Sequence, residues 1–172
     1  MSREQAAQKG RKAKNNVLVS VQDDIAEPAW IARVAPFELA LLERLGYGGE
    51  EISVLFCGDG FIRGLNREYR GIDSPTDVLS FGDGEPYTDE SGAEWRSMGD
   101  IVISLDAVPR NAVQFGVPED EELKRLLVHG TLHLNGLDHG EEHIERGVPP
   151  TCEMLRLQER IMRELRGERI LL

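Results

Sequence analysis

Apolar positions along this chain follow two periods, and the changes between them mark out its elements. Residues 17–21 (VLVSV) and 52–56 (ISVLF) are short β-branched runs that read as strands. Residues 36–45 carry Phe37, Leu41 and Leu45 at helical spacing and stop at Gly46, which predicts a helix. Residues 60–69 bring Ile62, Leu65 and Tyr69 onto one face, a second short helix. A proline turn at 73–76 leads into a strand at 78–81. Residues 82–97, rich in acids and glycine, predict an exposed loop. A further strand follows at 100–104, with Ser104 placed to cap a helix that runs to about Phe115. Pro118 suits the first position of a longer helix, and Glu119, Asp120, Glu121 and Glu122 suit the positive end of its dipole. A last helix at 152–165 has Met154, Leu157, Ile161 and Leu165 as its inner stripe. Arg156, Arg160 and Arg163 lie opposite, interleaved with Glu153, Glu159 and Glu164, a solvated face of mixed charge. This order predicts an α+β fold: a single compact domain, with a small mixed sheet covered by helices.

Composition adds limits. At 172 residues, 40% apolar and 30% charged, the chain suits one globular domain. Its apolar runs are far too short for a membrane span, and the first residues show no apolar core of a secretory signal. Cys57 and Cys152 stand far apart, which predicts free thiols in the cytoplasm. The net charge of −11 does not point to nucleic acid. Residues 1–16 differ, with Arg3, Lys9, Arg11, Lys12 and Lys14 against Glu4 alone. They read as a disordered basic arm, either a contact for an anionic partner or a solubilising tail. Residues 17–172 form the expected domain.

The chemistry concentrates in VHGTLHLNGLDHG, which holds three of the four histidines. His129 and His133, four apart on a helix, have β-carbons roughly 5–6 Å from each other. Their places on the helical wheel, between Leu123, Leu126, Leu127 and Leu134 on one side and Val128 and Leu132 on the other, predict partial burial. Gly136 is positioned to end the helix in a left-handed conformation, and His139 would then return to the same point. Three nitrogens with one position open is the layout of a catalytic zinc, on a central helix and the turn after it. The competing reading is a hydrogen-bonded core pair without metal. Cys152 is a weak candidate for a fourth ligand.

The spacing HxxxHxxGxxH also occurs in metzincin proteases, which need a glutamate directly after the first histidine. Here that residue is Gly130. The ligands are present and the protease base is missing. Zinc lowers the pKa of coordinated water toward about 7 without a strong base. Such a site suits a phosphodiester held by arginine.

Three ordered motifs carry a family resemblance. HGTLHLNGLDH resembles the HGxLHLxGYDH signature of the YbeY family of metal-dependent endoribonucleases. LNREYRGIDSPTDVLSF resembles that family's LNxxYRxxDxPTDVLSF segment, and GDIVIS matches the strand that follows. The resemblance implies a compact α+β hydrolase, one Zn2+ held by His129, His133 and His139, and a functional arginine at Arg70. It also implies a nuclease of the cytoplasm that cuts single-stranded RNA in ribosomal RNA maturation, at the 3′ end of the small-subunit RNA, and in ribosome quality control. Ribosomal RNA, the ribosome and ribosome-associated proteins are the partners it implies. Two departures stand out: Leu137 replaces the usual aromatic before the Asp-His pair, and Gly82 replaces the proline after VLSF.

Other residues have competing readings. Arg70 either contacts substrate, caps the helix before it or pairs with Asp73. Asp138 either orients an imidazole or, as preferred here, holds the turn. Asp77 and Asp100 either face the cleft or, as preferred here, form hydrogen bonds at strand ends, and His143 reads as an exposed residue, with gating of the site as the alternative. An RNA- or ribosome-binding module with a structural metal, or a metallohydrolase of another substrate such as peptide, are the alternative functions.

Overall fold

A computed structural model describes residues 14–172. Residues 1–13, most of the predicted basic arm, lie outside the described residues. At its far end Asn15 already accepts the Glu50 N–H through its side chain, and Asn16 opens the first strand.

Four strands form one mixed sheet: β1 (Asn16–Val21), β2 (Glu50–Cys57), β3 (Val78–Thr88) and β4 (Glu94–Ser104). Their spatial order is β1-β2-β4-β3. β1 and β2 are parallel, as are β2 and β4, while β3 runs antiparallel to β4. The helices are α1 (Val34–Arg44), α2 (Asp59–Arg70), α3 (Ala107–Phe115), α4 (Glu119–Leu134) and α5 (Glu153–Glu164), with one 3-10 turn before α1.

Strand alternation sorts the core into two faces. Ile52, Val54 and Phe56 of β2 join Ile101 and Ile103 of β4 on one face, where Leu41, Leu127, Leu132, Met154 and Ile161 of the helices pack. Cys57, Leu79 and Val102 point the other way and meet Ile62 of α2. The helix α4 is therefore buried between the sheet and its helical neighbours, and it carries the histidines.

The predicted elements recur with shifted ends, and two predictions are corrected. Residues 82–97 are not a loop. They form the outer half of a β3–β4 hairpin, with Tyr87 paired to Trp95 and Thr88 to Glu94. The two rings stack at 6.5 Å. Asp89 closes the turn by accepting from Ser91, Ala93 and the Trp95 indole, and these bonds pull its pKa down to about 2. The β3 half, residues 82–88, is exposed throughout, so it lacks the alternation that reveals a half-buried strand. Pro118 also sits one place earlier than predicted. It is the N-cap of α4, and its carbonyl accepts from Glu121 and Glu122.

Candidate metal centre

The histidine helix lies directly on the sheet because residue 130 has no side chain. A β-carbon there would stand 2.7 Å from Cγ2 of Ile101 on β4. Normal carbon contacts are about 3.5–4.0 Å. No glutamate fits at this position, which explains in packing terms why the protease base is absent.

The helix ends as its sequence predicts. Gly136 has φ +84°, its N–H bonds to the His133 carbonyl, and the Leu137 N–H bonds to the Leu132 carbonyl. This is the paired pattern that stops a helix and reverses the chain. Asp138 then accepts from the Gly140 N–H at 3.1 Å, so it holds the turn.

The reversal brings His139 against the other two histidines. Ring centroids are 4.6 Å apart for His129 and His133, 5.1 Å for His129 and His139, and 5.2 Å for His133 and His139. One nitrogen from each lies within 4.8 Å of the others. Nε2 of His129 and Nε2 of His133 are 3.1 Å apart. Two nitrogens bound tetrahedrally to one zinc stand about 3.3 Å apart, given bonds of about 2.0–2.1 Å.

The electrostatics favour ligands over charged side chains. Burial pushes the His129 pKa down to about 4, against the opposing effect of its bond to Gln158. Burial also lowers that of His133, helped by His139 and by Arg70. Neutral imidazole is the form that binds metal. Gln158 of α5 sits 2.9 Å from Nδ1 of His129. Its carbonyl oxygen accepts the Nδ1 proton and leaves the Nε2 lone pair facing the other histidines. Nδ1 of His139 is buried without a hydrogen-bond partner. Converging lone pairs and this orphaned nitrogen fit a cation at their centre.

The histidines open into a cavity of about 710 Å³. Arg70, at the end of α2, lines it, as do Asp77, Asp138 and His143. Asp73 does not pair with Arg70. It takes Arg63 at 2.9 Å and Arg67 at 3.9 Å, and among the described residues no carboxylate lies within ion-pair distance of Arg70. Asp77 combines both readings open to it, because it bonds the Val78 N–H at its strand end and also faces the cavity. Asp100 is exposed and does not line the cavity. His143 is exposed, 5.8 Å from His139 between ring centres, beside the triad rather than part of it. Cys152 lies outside the cavity and caps α5.

Sequence reasoning missed Gln158. The inner face of α5 is Met154, Leu155, Gln158, Ile161 and Leu165, with Leu157 only half-buried. A polar residue four places after Met154 and three before Ile161 was the available signal. The reading also missed the pair Glu122 and Arg125, which looked like part of a charged helix start.

Comparisons with known proteins identify the family. The family model described as endoribonuclease YbeY matches residues 7–166. An endoribonuclease YbeY of Treponema pallidum (strain Nichols) is 47% identical over 148 residues, covering 86% of this chain and 88% of the relative. One from Aquifex aeolicus is 44% identical over 135 residues, 77% of this chain and 85% of the relative. The solution structure of the protein TM1509 from Thermotoga maritima superimposes with a TM-score of 0.55 at 27% identity, covering 88% of this chain and 90% of that one. The chain belongs to the YbeY family, whose matched relatives are named endoribonucleases.

Proposed function

We propose that this protein is a zinc-dependent endoribonuclease that cuts single-stranded ribosomal RNA, with one zinc per chain on His129, His133 and His139. The observation that carries the reading is the convergence of three imidazole nitrogens within 4.8 Å in an open cavity that Arg70 also lines. The names of the matched relatives support the reaction class. Zinc suits three nitrogen donors with a fourth position left for water or substrate. When bound, it activates water and stabilises charge on phosphoryl oxygens.

The residues of the chain supply the rest. Gln158 holds His129 in the metal-binding tautomer. Gly130 leaves no protease base, which disfavours a peptide substrate. Arg70 is the phosphate clamp, since its guanidinium has no carboxylate partner among the described residues and its planar fork spans two phosphoryl oxygens. The basic arm adds phosphate contacts that the acidic domain lacks. The 3′ end of small-subunit ribosomal RNA is the expected target, and ribosome-associated proteins are the expected partners. The thiols of Cys57 and Cys152 are free, which suits the cytoplasm.

Cleavage of a labelled ribosomal RNA precursor by the purified protein, with and without chelator, tests the reading. Arg70→Ala should keep its metal and fold and lose about 10²–10³ in rate. Arg70→Lys should recover little. A parent protein that holds the metal and binds RNA without cutting it would favour a binding module instead.

A further inference from the structure

We propose that the end of the cavity farther from the metal is a nucleobase subsite, built on Arg125 and Phe115, that seats the base next to the scissile phosphate. This rests on the endoribonuclease reading above. The cavity runs past the histidines to Glu122, Arg125 and Phe115. Arg125 precedes His129 by four residues of the same helix, a rise of about 6 Å. That is about one nucleotide step along an extended strand.

The guanidinium of Arg125 is held over the Phe115 ring and tied to Glu122. Its carbon sits 4.4 Å from the centre of the Phe115 ring, and its Nη2 donates to the buried carboxylate of Glu122. Asn111 donates to Glu122 and to Asp77, each at 3.0 Å. Side chains from α3, α4 and the residue before β3 thus hold the guanidinium in place before any ligand arrives. Single-stranded RNA is commonly recognised by stacking bases on aromatic rings and on guanidinium planes.

Charge decides between a base and a second phosphate. Arg70 is uncompensated and suits phosphate. Arg125 is already paired with Glu122, and the Asp77 carboxylate faces the same cavity. The charge of Arg125 is thereby offset, which makes it a poorer phosphate contact than Arg70. What Arg125 offers is its flat face. Its side chain is 17% exposed and Phe115 is 38% exposed, so the stack is reachable from the cavity.

The test uses full-length protein with zinc and one single-stranded RNA oligonucleotide. The base is removed in turn at each nucleotide flanking the cleavage site. At one position the abasic substrate should raise KM about tenfold with kcat within about twofold. Arg125→Lys keeps a positive charge beside Glu122 and removes the flat face, so the ratio of base to abasic KM should fall to about one. Phe115→Leu should shrink the same ratio, and it carries the test should Arg125→Lys fold poorly. Equilibrium binding of the same oligonucleotides, read by fluorescence anisotropy, gives the ratio without cleavage. A parent that shows the ratio in binding but cuts nothing would sink the endoribonuclease reading and keep the subsite. Equal affinity for base and abasic RNA at every position would overturn the subsite. So would a ratio that survives in both variants, or an Arg125→Gln protein whose salt slope is lower by about one, the sign of a phosphate contact.

Discussion

Gly130→Ala tests whether the histidine helix really rests on the sheet. The added carbon would stand 2.7 Å from Cγ2 of Ile101 and 3.2 Å from its Cγ1 and Cδ1. The first contact is short of normal packing by about 1 Å. Ile101 has nowhere to retreat. It is fully buried, and its strand is paired on both sides, with Val54 on β2 and Ser80 on β3. Overpacking of this kind costs about 1–3 kcal/mol, and alanine returns about 1 kcal/mol of helix propensity. The expected net loss is up to about 2 kcal/mol, a fall in Tm of up to roughly 8 °C for a domain of this size. Urea unfolding of full-length protein at fixed zinc would read it as a lower midpoint with an unchanged slope. Ile101→Ala alone should cost about 2–5 kcal/mol, because it opens a cavity. Because it also removes the clash, the double variant should cost at least about 1 kcal/mol less than the two single losses added together. Gly130→Glu, the protease-like residue, should not fold. A Gly130→Ala protein more stable than the parent, or a double variant that is simply additive, would show that the helix does not bear on Ile101.

Three other predictions follow from the geometry. Alanine at His129, His133 or His139 should remove most of the bound zinc, while His143→Ala should keep about one per chain, because His143 stands outside the triad; full zinc in His133→Ala by elemental analysis would refute the site. Gln158→Leu should weaken zinc binding about 10–100-fold in a chelator competition while Gln158→Glu restores it, and equal affinities in all three proteins would remove Gln158 from the site. Glu38 is buried against the Thr131 hydroxyl, and burial raises its pKa from 4.5 to about 8. Between those values the folded protein holds a proton that the unfolded chain has lost, so stability falls as pH rises through this window. Glu38→Gln should recover up to about 3 kcal/mol at pH 7 and flatten the decline between pH 5 and 8 in a series of urea titrations, and a variant with the parent's pH slope would contradict this.

Local spacing alone picked out the three converging histidines. Two histidines four apart must share a helix face, and Gly136 three residues later supplies the left-handed turn that returns His139. Those are short-range constraints set by helix geometry, and the buried strands and helix stripes were legible for the same reason. Longer-range facts were not. Gln158 reaches His129 across 29 residues, and Asn111 joins Asp77 to Glu122 across 34 and 11. Only the packing of α5 and α3 on α4 brings these groups together. The hairpin at 82–97 stayed hidden because strand pairing is a property of two segments, and its β3 half, exposed on both faces, leaves no hydrophobic period to read. The absence of a glutamate at Gly130 was plain in the chain, but its cause was not: Ile101 on a neighbouring strand occupies the space, and that contact exists only once the sheet and helix have met. Arg70 and Asp73 show the reverse case. Their closeness in sequence suggested an ion pair, yet the fold gives Asp73 to Arg63 and Arg67 and turns Arg70 to the cavity, because the helix end decides which way each side chain faces.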